Sequence, residues 1–278
     1  MWIQITVPNE FQPVGKYNIG ITAGIETTIV PGDWIDGVNR MDLNLVSSHH
    51  SKNVFLSTEM EKKEGNNTIK IKVEKPIEVL FEGANLDTYK PDNSPCIVDF
   101  NIPESFAYLF VGHWIQGDIG EDRKNVGLLI KAFYETFKNK TKKPALILKT
   151  SQVGSSYMDR DEILRKINLI KQTVNSDDLP NVYLLHGEFS DEEMNSIYNH
   201  SKVKAMVSFT KGEGFGRPLL EFSLSKKPII VSGWSGHMDF INPESAEKYV
   251  EKGWDEEKQM YYYLVYFNKE NCNIIRNM

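Results

Sequence analysis

The amino-acid sequence predicts an α/β fold: one nearly complete, Rossmann-type parallel-sheet domain, preceded by a partial N-terminal α/β domain. Two observations lead to this prediction. Short apolar runs recur through the second part of the chain, and segments with helical periodicity fill the gaps between them. Each run and the helix after it have about the length of one βα unit, so the pattern predicts five consecutive units of a doubly wound domain.

The apolar runs of this second domain are continuous rather than alternating, which is typical of strands buried on both faces of a parallel sheet. The predicted strands are residues 108–112, 145–148, 182–185, 205–209 and 228–231. The helical patterns cover residues 126–137 and 159–174. A third helix starts at the capping-box pair Ser190 and Glu193, and a fourth starts near Pro218.

The first hundred residues have a different pattern, with four or five predicted strands and only short helices. The strands are expected in residues 3–7, 19–22, 43–47, 69–73 and 77–81, and the helices in residues 34–40 and 51–60. The polar segment 59–67 contains a Gly-Asn-Asn turn signal, which predicts an exposed loop.

Composition sets the expected domain boundaries. The chain has 278 residues, which is long enough for one large or two modest domains. We expect a partial N-terminal domain over residues 1–95, a proline-containing linker over 96–107, the Rossmann-like domain over 108–245 and an atypical tail over 246–278. Within this tail, residues 246–258 have the composition of a charged helix, and residues 261–267 form a dense aromatic run that promotes burial or association.

Charge and cysteine content exclude several classes of protein. The 32 basic and 38 acidic side chains give a net charge of −6, so bulk electrostatics do not favour binding to nucleic acid. Cys96 and Cys272 form no disulfide framework or C-x-x-C pair, which favours a reducing compartment. The sequence shows no signal peptide and no apolar run near 20 residues. We therefore expect a cytoplasmic location and leave peripheral membrane association open.

The most informative motif is K-G-E-G-F-G-R-P-L-L-E at residues 211–221, between a predicted strand and a helix. Glycines let the backbone approach a ligand closely, and amides at the start of a helix bind anions. Glu213 and Glu221 are carboxylates that accept hydrogen bonds from hydroxyl groups, so the motif suits a sugar phosphate. The alternative is a purely structural role. In that case the segment is a glycine-rich turn whose acidic residues interact favourably with the helix dipole. The groups expected at a ligand are the glycines Gly212, Gly214 and Gly216 and the amides of Leu219 and Leu220.

This segment resembles the E-x7-E signature of retaining glycosyltransferases with the two-Rossmann (GT-B) fold, of the family 4-like or group 1 type. Their pattern is close to E-G-F-G-x-P-x-L-E, and every fixed position matches. The resemblance implies that Glu221 binds the ribose of a nucleotide sugar and that Glu213 lies near the transferred sugar. Gly214, Phe215 and Gly216 fall in the same donor-binding loop. The following K-P-I-I-V stretch, from Lys227 to Val231, also resembles the family's G-x-P-V-I, though a lysine replaces the usual glycine.

A second resemblance to the family lies at F-V-G-H-W, where a strand ends at Gly112, and at the basic pair Arg123 and Lys124 before the next helix. The resemblance implies that this pair neutralises the diphosphate leaving group. A positive pair at a helix N-terminus is electrostatically unfavourable unless an anion is present. A solvated, basic helix start is the alternative interpretation.

Several weaker candidates follow predicted strands. Lys149 ends the second strand of the Rossmann-like domain, where it could reach the phosphates or be a plain surface lysine. Gly187 follows the third strand, where the family's backbone contacts the base. Many members place a histidine near the sugar after an earlier strand, but the comparable position here, near Glu26, has none. His49 and His50 are candidate substitutes, with exposed polar surface as the alternative.

Together these motifs predict a retaining hexosyltransferase-type enzyme. It would move a sugar from a nucleotide diphosphate sugar to an unknown glycan, lipid or protein acceptor. No metal or other cofactor is expected, since the sequence has no D-x-D pair of the kind that metal-dependent sugar transferases use and no Walker loop. An inactive nucleotide-sugar-binding or scaffolding protein is the alternative, because the N-terminal domain is short. Self-association through that domain or through residues 261–267 is a further expectation.

Overall fold

The structure is a computed structural model that describes residues 1–64, 67–115, 117, 119–241, 252–255 and 260–265. The chain folds into two compact units. Unit 1 contains residues 1–83, 212–217 and 234–241. Unit 2 contains residues 84–211, 218–233 and the described residues after 241. The segment that carries Glu213 therefore packs with unit 1, although the sequence places it between two elements of the Rossmann-like domain.

Unit 1 is built on a four-stranded parallel sheet with the order β1-β2-β3-β6. Its core lies on the face where Val46 of the sheet meets Phe11, Val38 and Phe55. The elements in chain order are β1 (Trp2–Ile5), β2 (Asn18–Thr22), α1 (Gly32–Asn39), β3 (Leu43–Val46), α2 (His49–Ser57), β4 (Met60–Glu64), β5 (Asn67–Ile71) and β6 (Ile77–Val79).

The prediction of an exposed loop over residues 59–67 is wrong at residues 60–64 and at residue 67, which lie in strands, and residues 65–66 lie outside the described part of the chain. Residues in β4 and β5 pair antiparallel from Met60 opposite Ile71 to Glu64 opposite Asn67, forming a separate two-stranded hairpin. The charged residues of β4 lack the alternation of apolar and polar residues from which a strand is recognised.

Unit 2 is a parallel sheet with helices between its strands, as the sequence predicts. Its elements are β7 (Ala107–Val111), α3 (Val126–Phe137), β8 (Ala145–Lys149), α4 (Tyr157–Gln172), β9 (Val182–Leu185), α5 (Asp191–Asn199), β10 (Val203–Ser208), α6 (Arg217–Ser223) and β11 (Ile229–Ser232). The parallel strands have the order β9-β8-β7-β10-β11. From β7 the chain adds β8 and then β9 on one side of the sheet. It then returns and adds β10 and β11 on the other side of β7. The boundary between these two strands is therefore the topological switch point, where open α/β sheets bind ligands.

The C-terminal segment adds two antiparallel strands to this sheet, β12 (Lys252–Asp255) and β13 (Met260–Val265), of which β13 pairs with β11. The predicted helix over residues 246–258 is therefore wrong at residues 252–255, and its remaining residues lie outside the described part of the chain. Pairing along a sheet edge outweighs the local helical composition here. Among the described residues, no helix is long and apolar enough to cross a membrane.

The start of α5 confirms the predicted capping box. The Ser190 hydroxyl accepts a hydrogen bond from the Glu193 backbone N–H, and the Glu193 carboxylate accepts one from the Ser190 N–H. These two bonds satisfy helix N–H groups that have no partner within the helix.

The Ser190→Ala variant should unfold at a lower urea concentration, with a loss of about 1 kcal/mol in the free energy of unfolding. The same change at the exposed Ser201, which lies outside any helix, is the matched control. Equal midpoints for the two variants would contradict a stabilising role for this cap.

Candidate functional site

The loops that follow β7 and β10 meet at the switch point of unit 2. The Lys211 N–H donates a hydrogen bond to the Arg123 carbonyl at 2.9 Å, and the Asn125 side chain donates one to the Phe209 carbonyl at 2.9 Å. The Lys211 ammonium also donates to the Gly120 carbonyl at 2.6 Å. These bonds fix the backbone of the segment that carries the predicted basic pair.

The basic pair borders a cavity of about 210 Å³ that is lined by His113, Ile115, Asp122, Arg123 and Lys124. The buried Asp122 accepts a hydrogen bond from the Val126 N–H at 3.0 Å and so caps α3. Burial raises the pKa of the Asp122 carboxyl, against opposing hydrogen bonds from the start of α3 and the charge of Lys211. Sequence reasoning missed this residue, because the N-cap of α3 is Asn125 and Asp122 lies three residues before the usual capping position.

Contacts connect Lys124, Gly112, Lys149 and Gly187 in one row along the carboxyl ends of β7, β8 and β9. A Cβ atom added to Gly112 would lie 3.6 Å from Lys124 Cε, and the Gly112 N–H donates to the Lys149 carbonyl at 3.1 Å. The Lys149 ammonium donates to the Gly187 carbonyl at 3.2 Å. We call the five residues Gly112, Arg123, Lys124, Lys149 and Gly187 the switch-point cluster.

Lys149 is the half-buried cation of this cluster. Burial lowers the pKa of its ammonium group, and the nearby Glu188 carboxylate only partly opposes that effect. Its ammonium also lies 5.3 Å from the centre of the Phe189 ring. A partly desolvated ammonium group is stabilised when an anion binds beside it. Lys149 is therefore not a plain surface lysine, and its expected contact with phosphate stays a prediction.

Glu221 lies in α6 and is only 6% exposed. Its carboxylate accepts a hydrogen bond from the buried Tyr198 hydroxyl at 3.2 Å, which holds the carboxylate in one orientation. Leu219 in the same helix is buried and Leu220 is half-buried. The expected binding roles of these two amides and of Glu221 stay predictions.

Glu213 lies in unit 1, where its loop packs closely against the loop that follows β2. Cβ atoms added to Gly212 and Gly214 would lie 2.0 Å from the Glu26 carbonyl and 2.5 Å from the Ala23 carbonyl. Only glycine permits this approach of two backbones. Glu213 is 7% exposed as a result.

The Glu213 loop is also bonded to the segment after β11. The Glu213 N–H donates to the Ser235 hydroxyl at 3.0 Å, and the Gly236 N–H donates to the Glu213 carbonyl at 2.9 Å. Ser47, at the end of β3, donates to the Gly214 carbonyl at 3.3 Å. Three loops thus hold the backbone of Glu213 in place.

Phe215 and Gly216 have structural roles in the same loop. The buried Phe215 ring packs edge-on against Phe81 at 4.8 Å and at an angle against Phe240 at 5.2 Å. Gly216 has a φ of +93°, a left-handed conformation that glycine adopts without strain. The predicted donor contacts of these residues stay predictions.

The two adjacent histidines lie in the first turn of α2, two residues earlier than the helix was expected to start. The His49 N–H donates to the Asp239 carboxylate at 2.8 Å, and the His49 ring nitrogen Nδ1 lies 3.2 Å from the same oxygen. The His50 ring meets Trp234 edge-on at 5.3 Å, and burial lowers the pKa of this imidazole. Whether either histidine contacts a sugar remains a prediction.

Sequence reasoning also missed a buried pair at the carboxyl ends of β8 and β9. His186 Nε2 lies 2.8 Å from the Asp159 carboxylate, which also accepts hydrogen bonds from the Gln152 and Val153 N–H groups. Burial alone would raise the pKa of Asp159, but these hydrogen bonds outweigh it and hold the pKa below its usual value. The pair fixes the loop after β8 next to Gly187, and no motif signals it because its partners are far apart in sequence.

Lys227, which directly precedes Pro228, is bonded to the end of α5. Its ammonium group donates to the carbonyls of Tyr198 and His200 at 2.7 and 2.8 Å, at the end of α5. A lysine at the end of a helix supplies hydrogen bonds to its last carbonyls, and Lys227 does so here. Burial and the charge of Lys204 lower the pKa of Lys227 to about 7, against an opposing interaction with Cys96.

This pKa predicts how stability changes with pH. Between about pH 7 and 10.5, Lys227 is neutral in the folded chain and protonated in the unfolded chain. The unfolded state then binds more protons, so stability rises with pH by at most about 1.4 kcal/mol per unit. Urea unfolding from pH 6 to 10 should show this rise in the protein relative to a Lys227→Met variant. Parallel pH profiles would contradict it.

The described residues contain no group of three or more His, Cys, Asp and Glu side chains arranged to hold a metal ion. The expectation that the reaction needs no metal stays a prediction.

Comparison with known proteins identifies the fold. No protein-family model and no curated protein matches the sequence. Among solved structures, the chain is similar to OtsA, a trehalose-6-phosphate synthase, with a TM-score of 0.56, 13% identity, and coverage of 82% of this chain and 55% of that chain. A UDP-forming trehalose-phosphate synthase from Burkholderia xenovorans in complex with glucose-6-phosphate has a TM-score of 0.52, 9% identity, and coverage of 82% and 56%.

A third similar structure, a trehalose-6-phosphate protein from E. coli, is bound with UDP-2-fluoro glucose. Its TM-score is 0.54 at 13% identity, and the match covers 81% of this chain and 55% of that one. These neighbours are GT-B glycosyltransferases, so the predicted α/β, GT-B-like fold is confirmed. The chain spans about 55% of the length of these proteins.

Proposed function

We propose that this protein is a glycosyltransferase that takes a sugar from a nucleotide diphosphate sugar, with retention at the anomeric carbon and without a metal. The observation that carries the proposal is the cavity bordered by Arg123 and Lys124 at the switch point of unit 2. This is where sheets of this topology bind ligands, and the walls of the cavity carry two cations. The fold supports the proposal, because one similar structure is bound with UDP-2-fluoro glucose.

The proposed chemistry uses the charges of the switch-point cluster. As the bond between the sugar and the diphosphate breaks, the leaving oxygen gains negative charge. Arg123 and Lys124 stabilise that charge because they are already in place and need no reorganisation. Lys149 is available to a phosphate group from the neighbouring strand end. Glu221, oriented by Tyr198, accepts hydrogen bonds from the ribose hydroxyls.

The burial of Glu213 favours the second candidate, a nucleotide-sugar-binding protein without turnover. Its loop packs against the backbone of residues 23–26, and the side chain is only 7% exposed. The contacts of this loop account for the position of Glu213 without a role in releasing the sugar. The two candidates share the donor site and differ in whether the sugar is released from it.

An assay for release of nucleoside diphosphate separates the candidates. Native mass spectrometry of the purified protein first identifies a retained donor, and a panel of UDP-, GDP- and ADP-sugars is then tested for hydrolysis and transfer. A transferase releases diphosphate, and both Glu213→Gln and the Arg123→Ala, Lys124→Ala double variant lose that release. The second candidate predicts a different result. The protein then binds the donor without releasing diphosphate, and Glu213→Gln leaves the donor affinity unchanged.

A further inference from the structure

Strand β1 has an open edge. It is the outer strand of the unit 1 sheet, and its partner among the described strands is β2. The Trp2 N–H donates to the Tyr17 carbonyl at 2.8 Å, and the Thr6 N–H donates to the Ile21 carbonyl at 3.1 Å. Alternate residues of a parallel strand bond to the same neighbour. The N–H and C=O groups of Ile3 and Ile5 therefore point away from β2, towards the open edge.

The side chains at this edge are apolar and uncharged. Ile5 is 76% exposed, and residues 1–7 contain no charged residue or proline. Edge strands are usually protected against pairing by lysine, proline or a bulge, and residues 1–7 carry neither of these residue types. The exposed large apolar side chains on β1 and its flanking loop are Trp2, Ile3, Ile5, Val7, Val14 and Tyr17.

The apolar surface continues from the edge across one face of the sheet. The register sets Ile3 beside Ile19 and Ile5 beside Ile21, and the row extends to β3. This face lies opposite the core that contains Val46. The half-buried aliphatic side chains that continue the row are Ile19, Ile21, Leu43 and Leu45.

We propose that β1 pairs antiparallel with β1 of a second copy of this chain and joins two four-stranded sheets into one of eight strands. A two-fold interface must be complementary to itself. An uncharged strand meets its own copy without placing like charges together, whereas the net charge of −6 opposes association through the charged surface.

In one register of this pairing, the outward N–H and C=O groups of Ile3 and Ile5 all form hydrogen bonds with the second copy. When Ile3 lies opposite Ile5 of the partner subunit, both residues of each copy form hydrogen-bonded pairs. Gln4 then faces the partner subunit's Gln4 in a non-hydrogen-bonded pair, with Cα atoms about 4.5 Å apart. This distance permits a disulfide when cysteine replaces Gln4.

Light scattering after size exclusion, at micromolar concentrations, tests the interface. We expect a dimer for the protein and for Val153→Lys, a control at a 92% exposed valine of unit 2, and a monomer for Ile5→Lys. Circular dichroism melting verifies that Ile5→Lys is folded. A monomeric protein at every concentration, or a dimeric Ile5→Lys, would overturn the proposal.

Crosslinking tests the register and separates this interface from association through residues 261–267. In a background with Cys96→Ser and Cys272→Ser, Gln4→Cys should form a covalent dimer under mild oxidation. Ile3→Cys should not, because the two copies of that residue lie beyond the roughly 7 Å limit between bridged Cα atoms. A dimer in which Gln4→Cys fails to crosslink would overturn the β1 pairing. Neither experiment depends on nucleotide binding, so its outcome is independent of the proposed transferase function.

Discussion

Replacing Arg123 and Lys124 with alanine should weaken the binding of a nucleoside diphosphate by about 100-fold or more. Hydrogen bonds to charged groups contribute about 1.5–3 kcal/mol each, and a tenfold change in affinity corresponds to about 1.4 kcal/mol. Both residues line the cavity at the end of β7, so removing both takes away its two cationic walls. Isothermal titration with the diphosphate that binds the unaltered protein measures the loss.

Lys142→Ala is the matched control for this experiment. Lys142 is exposed and precedes β8, so it lies at the amino end of the strand, opposite the switch-point cluster. Its removal changes the net charge by one unit without touching the cavity, and we expect less than a twofold change in affinity. If Lys142→Ala weakened binding as much as a single change at Arg123 or Lys124, a general charge effect would explain the result.

The Gly236→Ala variant should lose about 3 kcal/mol or more of stability, because the added methyl group meets backbone rather than a mobile side chain. Its Cβ atom would lie 2.0 Å from the Gly214 carbonyl oxygen and 2.7 Å from the Glu213 carbonyl oxygen. The segment after β11 must move, and that movement breaks the hydrogen bond between the Gly236 N–H and Glu213. Thermal unfolding should show a decrease in Tm on the order of 10 °C.

Gly83→Ala is the control, since a Cβ atom there would meet nothing within 4 Å. A Gly236→Ala variant as stable as Gly83→Ala would show that the three loops around Glu213 are not closely packed.

The sequence predicts unit 2 well because its signals are local. The strand around Leu109 and the helix that begins at Val126 are recognisable from apolar periodicity alone, and both are found within one residue of their expected start. The capping box of α5 is equally local, since it depends on residues three positions apart. In the hairpin, β5 overlaps the strand predicted over residues 69–73, but β4 is not recognisable in this way because four of its five residues are charged.

The candidate site is less predictable because it depends on contacts between distant segments. The types of residue at Arg123, Lys124 and Glu221 are recognisable from motifs. The partners that orient them, such as Tyr198 for Glu221, are not. The packing of Glu213 against residues 23–26 joins positions almost 190 residues apart, and no local pattern encodes it.

The central claim, that unit 2 binds a nucleotide through its switch point, is tested most directly by titrating the intact protein with UDP, GDP and ADP. We predict that one of the three binds. Glu221→Gln should lower the affinity by removing the charge that accepts the ribose hydroxyls. Tyr198→Phe should lower the affinity less than Glu221→Gln, because it removes the hydrogen bond that orients the Glu221 carboxylate and keeps the charge. If the folded protein bound none of the three diphosphates, the claim would be contradicted.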